Sequence, residues 1–99
     1  MRMLMTVRME VQAANRAIAD GTLGPLMEDT MKRLQPEAAY FATRDGERTG
    51  FIYFDMERTD QIPAIAEPWF QAANAKVDFT PVMSAKDVAV GIEAWQSNR

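Results

Sequence analysis

Phe51-Ile52-Tyr53-Phe54-Asp55-Met56, a few residues after Asp45-Gly46, is the stretch on which the fold turns. Its aromatic and β-branched content reads as a strand. Ile52, Phe54 and Met56 fall on one face, and Phe51 and Tyr53 on the other. A strand apolar on both faces is covered on both sides. Asp45-Gly46 is a strong hairpin signal, so Glu37 to Arg44 should run antiparallel beside it, with a loop that extends as far as Gly50.

Working outward, Arg2 to Met9 alternates. Met3, Met5, Val7 and Met9 share one face, and Arg2, Leu4, Thr6 and Arg8 the other. That period of two marks a first strand. Val11 to Ala19 reads as a short helix, with Val11, Ala14 and Ile18 on one side, and Asp20-Gly21 breaks it. Thr22 can cap a second helix, with Pro25 in its first turn and Leu23, Leu26, Met27, Met31 and Leu34 at helical spacing, until Pro36 stops it. After the central hairpin, Thr59 or Asp60 caps a helix through Ala75, with a kink or restart expected at Pro68. Lys76 to Met83 is a fourth strand. Ser84-Ala85-Lys86-Asp87 then resembles a capping box and opens a last helix, which carries Val88, Ile92 and Trp95 on one stripe.

This order is a doubled split β-α-β arrangement in one domain, residues 1–99, with an added C-terminal helix. The expected fold is α+β and ferredoxin-like. Its four-stranded antiparallel sheet should have the order 4-1-3-2, with the helices of the repeat on one face.

Composition bounds the function. The chain has no Cys and no His. That removes thiolate nucleophiles, disulfides, the commonest general base and the commonest transition-metal ligand. No cofactor is expected from the residues. A net charge of −3, from 11 basic and 14 acidic side chains, argues against nucleic acid, which needs a basic stripe to neutralise phosphates. The one adjacent basic pair, Lys32-Arg33, reads as a solvated helix face. Apolar runs are far shorter than the roughly 20 residues that span a bilayer, and Arg8 interrupts the apolar start. A cytoplasmic protein without a membrane partner is expected. The eight methionines read as adaptable core filler.

Sorting the strands by parity separates a wholly apolar face (Met3, Met5, Val7, Ile52, Phe54, Val77, Phe79) from a mixed one. The mixed face holds Leu4, Thr6, Phe51, Tyr53, Thr80 and Val82 together with Arg2, Arg8, Asp55 and Asp78. Aromatics with Arg make up a protein–protein interface or a pocket wall. The expectation is a homodimer formed through this face, burying at least about 1,200 Å² in total. The candidate ligand-binding residues are Arg8, Tyr40, Tyr53, Asp55, Trp69 and Phe70. Trp69-Phe70 would wall a pocket for a flat or apolar molecule, or else pack as plain core. Tyr40 and Tyr53 would donate to a carbonyl, or else satisfy their hydroxyls locally. Asp55 and Asp78 would act as bases if desolvated. Antiparallel register instead favours the ion pairs Arg8–Asp78 and Arg2–Asp55.

Phe51 to Met56, followed by a helix ending near Pro68-Trp69-Phe70, resembles the matching part of muconolactone isomerases in the dimeric α+β barrel superfamily. Val77-Asp78-Phe79-Thr80-Pro81-Val82-Met83, with a helix after it, is similar to small bacterial proteins of that superfamily without assigned activity. The resemblance implies two ferredoxin-like sheets packed face to face. It allows cofactor-free isomerase or monooxygenase chemistry on an aromatic-derived substrate, while the absence of His removes the haem-ligating version. The residues themselves favour a non-catalytic dimer that binds a small apolar or aromatic metabolite.

Overall fold

Alternation in the first strand organises the molecule. In a computed structural model, which describes residues 1–98, β1 spans Arg2–Arg8, with Met3, Met5 and Val7 buried and the residues between them facing outward. β1 pairs antiparallel with β3 (Glu47–Asp55) on one side and with β4 (Lys76–Pro81) on the other. β2 (Ala38–Arg44) completes the sheet against β3, giving the order β2-β3-β1-β4. This is the expected ferredoxin-like order, read from the opposite edge.

Helices α1 (Val11–Ala19), α2 (Leu23–Leu34) and α3 (Ile62–Ala73) contribute the rest of the core, and a short 3₁₀ turn at Thr59–Gln61 leads into α3. Ile52, Phe54 and Met56 of the third-strand region meet Ile65, Trp69 and Ala73 of α3 in one cluster with the buried residues of β1. Phe79 sets its ring edge-on to Phe54, with centroids 6.5 Å apart. Trp69 is the largest fully buried side chain. Its indole N–H donates to Thr30 Oγ1 at 3.0 Å, and the Thr30 hydroxyl in turn donates to the Leu26 carbonyl at 2.8 Å. This chain ties α3 to α2 inside the core, where an unpaired indole N–H would be costly.

Several expectations shift. The hairpin is tight: Asp45 (φ 53°) and Gly46 (φ 78°) form a two-residue turn with both residues left-handed. The third strand therefore starts at Glu47 rather than Phe51, because this turn matches the twist of the strands it joins. The second strand starts at Ala38 rather than Glu37, and the fourth ends at Pro81 rather than Met83. α1 turns Ala13, Ala14 and Ala17 inward and leaves Val11 and Ile18 exposed, so small residues set its close approach to the core. Thr22 does not cap α2 with its side chain. Its hydroxyl lies 2.7 Å from Asp20 Oδ1 and 3.4 Å from the Ala17 carbonyl, closing the α1–α2 corner instead. The Gln61 side chain accepts from the backbone N–H groups of Glu57 and Arg58 ahead of α3. α3 then runs through Pro68 without restarting and ends at Ala73, where Asn74 takes the left-handed conformation. Pro68 sits on the exposed side of the helix.

Replacing Trp69 by Ala removes this buried ring and leaves Thr30 without its donor. Urea denaturation of Trp69→Ala should show a loss of about 3–5 kcal/mol, as for other aromatic truncations in cores. A loss below 1 kcal/mol would contradict the central position given to this side chain.

Candidate functional site

With α1, α2 and α3 on one side, the opposite face of the sheet carries no helix of the body. Strand register arranges that face in rows. Tyr40, Phe51, Thr6 and Asp78 line up across β2, β3, β1 and β4. The next row is Ala38, Tyr53, Leu4 and Thr80. Apart from Asp78, the charges lie beyond these two rows at both ends. Asp55 is opposite Arg2 at one end, and Arg8 with Lys76, then Arg44 with Glu47, at the other. The face is thus largely neutral and aromatic in the middle and charged at the rim. Leu4, Phe51 and Tyr53 are half-buried, and Tyr40 is 66% exposed.

Arg2, Asp55, Arg8 and Glu47 of the rim are paired within the chain, but not as the register alone suggests. Arg2 stands opposite Asp55, yet its Nε lies 2.6 Å from Glu37 Oε1. The Met1 amine instead takes Asp55, at 2.6 Å. Arg8 reaches the turn, 3.2 Å from Asp45 Oδ2 and 3.1 Å from Glu47 Oε1. Asp78 lies opposite Thr6, one residue pair inward of Lys76 opposite Arg8, and among the described residues it makes no ion pair. The expected Arg8–Asp78 and Arg2–Asp55 pairs are therefore both replaced. Long Arg side chains choose the nearest carboxylate by reach, and a turn or strand entry can supply one closer than the opposite strand does. Arg44 lies over the Phe51 ring, 5.1 Å from its centroid.

At the Arg2 end the chain after β4 folds over the face. Val82 N–H donates to the Arg2 carbonyl, and Val82, Met83 and Ser84 join Ala38, Tyr40 and Tyr53 around an open groove of about 420 Å³. A neighbouring groove of about 460 Å³ is lined by Arg2, Gln35, Glu37, Asp55 and Asp87. Helix α4 (Ala85–Ser97) starts here behind a reciprocal cap. Ser84 Oγ accepts from Asp87 N–H, and Asp87 Oδ2 accepts from Ser84 N–H, both at 3.1 Å. Those hydrogen bonds from Ser84, with the charge of Arg2, hold the Asp87 carboxyl below its ordinary value.

The six sequence-selected residues do not converge. Tyr40 and Tyr53 share the first groove, and Asp55 lies in the next one. Arg8 is at the far end of the same face. Trp69 is 1% exposed beneath the other face, and Phe70 faces outward from α3. Reasoning from residues missed Val82, Met83 and Ser84 as part of the lining of the tyrosine groove. Met83 read as the end of a strand, whereas β4 stops at Pro81 and the next three residues line the groove. The arrangement can hold a flat or apolar molecule against two phenol rings, with Arg2 and Glu37 at its edge. The Asp55 side chain is 79% exposed and ion-paired, so it is not a desolvated base. Among the described residues no three metal-binding side chains cluster, and no helix is long and apolar enough to cross a membrane. Comparison of the chain with protein-family models, with curated proteins and with solved structures finds no match.

The cap makes α4 acid-sensitive in a defined direction. A carboxyl held below its ordinary pKa of 3.8 contributes stability above that value, and the contribution is lost as the pH falls through the depressed one. NMR shifts of residues 85–88 should report fraying of the first turn only below about pH 3.8, and Asp87→Asn should show that fraying already at neutral pH. Fraying of the wild type well above this range would contradict the assignment.

Proposed function

We propose that this protein is a homodimer joined through its uncovered sheet face, and that it binds a small apolar or aromatic metabolite beside Tyr40 and Tyr53 without converting it. The observation that carries the reading is the layout of that face. Its aromatic middle, neutral but for Asp78, and its charged rim resemble the core and rim of an interface. Most of its rim charges are already neutralised within the chain, by Arg2–Glu37, Met1–Asp55 and Arg8 with Asp45 and Glu47. A second copy would then meet Asp78, Lys76 and Arg44 as the charges of this face that make no ion pair among the described residues. Phe51 and Tyr53 face away from the helices, and burying two such rings supplies several kcal/mol of hydrophobic driving force, at roughly 25 cal/mol per Å².

Binding rather than turnover is favoured by the acid–base inventory of the groove. Its polar groups are two phenols, a hydroxyl, and an Arg and a Glu bound to each other. General base chemistry near neutral pH needs a group whose pKa has been brought there by burial or charge. The Arg2–Glu37 pair lies at the surface, with side chains 44% and 50% exposed.

Sedimentation equilibrium at micromolar concentration should give twice the chain mass. Native mass spectrometry of protein purified from cells should show a small unmodified ligand retained by the wild type and lost from Tyr40→Ala/Tyr53→Ala. A monomer in the first experiment contradicts the dimer. A ligand returned chemically altered after incubation contradicts the non-catalytic reading.

A further inference from the structure

The last helix is out of place for a monomer. α4 has 13 residues, none of them buried, and it makes no extensive contact with any other element. Yet it carries Val88 (44% exposed), Ile92 (51%) and Trp95 (59%) at helical spacing along one side, with Val90 at 60%. The molecule measures 57 × 27 × 19 Å and has a radius of gyration of 16.1 Å. A compact domain of this length would have roughly 13 Å. An amphipathic helix held away from its own core has its apolar stripe matched to another surface.

The root of α4 indicates which surface. Val82, Met83 and Ser84 line the groove of Tyr40 and Tyr53, and Asp87 lies close enough to Arg2 for the two charges to interact. α4 therefore leaves the body at the rim of the very face that the dimer reading assigns to a second copy. The areas agree with this. Four strands about 4.8 Å apart, seven residues long at about 3.3 Å each, give a footprint of roughly 450 Å² per protomer, or about 900 Å² for a pair. A stable dimer buries at least about 1,200 Å². A helix about 20 Å long and 10 Å wide adds roughly 200 Å² per protomer, which takes the pair past that bound.

We infer that α4 is an exchanged arm: in the dimer each protomer's α4 packs its Val88 and Ile92 side against the second copy, continuous with the sheet-face interface. This rests on the dimer reading above. It makes the tyrosine groove a composite site. In one copy the groove is open to solvent, and the second copy with its arm supplies the missing wall. The ligand site is then complete only in the assembled pair.

The direct test uses the unmodified full chain. Dimers mixed from ¹³C-labelled and unlabelled chains should give intermolecular NOEs to the Val88 and Ile92 methyls. The paired test is Val88→Asp/Ile92→Asp, which alters side chains outside the body's own core. It should weaken dimerisation about 100-fold or more in sedimentation, while Trp69 keeps the fluorescence of a buried indole. A dimeric wild type with only intramolecular NOEs to these methyls, or a double variant that dimerises as tightly as the wild type, overturns the arm and leaves the sheet-face dimer standing. A wild type that stays monomeric at 100 µM overturns both.

Discussion

A sheet has two faces, and this chain has helices for one. Met3, Met5 and Val7, alternating along a central strand, are buried against α1, α2 and α3, and every other packing decision follows from that parity. Because side chains in a strand alternate with a period of two, fixing Met5 in the core fixes Leu4 and Thr6 outside it. The register with β3 then fixes Phe51 and Tyr53 outside as well. The aromatic outer face is thus a geometric consequence of building the inner one.

That constraint explains why the architecture was readable from the residues. β1 alternates without exception, Asp45-Gly46 supplies the left-handed pair a tight turn needs, and Ser84 with Asp87 closes a cap within four residues. Each of these is local. What was not readable depends on distance in space. Nothing in the spacing of Val11 and Ile18 reveals that three alanines bring α1 closer to the core by another side. Strand register places Arg2 opposite Asp55, but the length of an arginine side chain lets Glu37, just outside β2, take the contact instead. Val88, Ile92 and Trp95 were correctly placed on one stripe, yet periodicity identifies only a side of a helix and not what lies against it.

The candidate site was legible in part for the same reason. Tyr53 and Tyr40 follow from strand parity, and the structure places them in one groove. Trp69 has the composition of a pocket wall but lies beneath the opposite face, where its N–H is consumed by Thr30. No local pattern separates a tryptophan that lines a cavity from one that fills a core, because both are apolar positions on an amphipathic helix. Val82 and Met83 carry no chemical signature, the signature of Ser84 is that of a helix cap, and none of the three announces that it lines the groove.

The two edges of the sheet are unlike, which limits how the sheet can grow. β4 presents Lys76 and Asp78 and ends in Pro81, a residue that cannot donate to an incoming strand. β2 ends the sheet on the other side with Ala38-Ala39-Tyr40-Phe41-Ala42-Thr43, uncharged and with both aromatics exposed. An open edge of this kind is a template for another strand. The proline and charges of β4 oppose strand addition at that edge, so the uncharged stretch of β2 is the more receptive of the two.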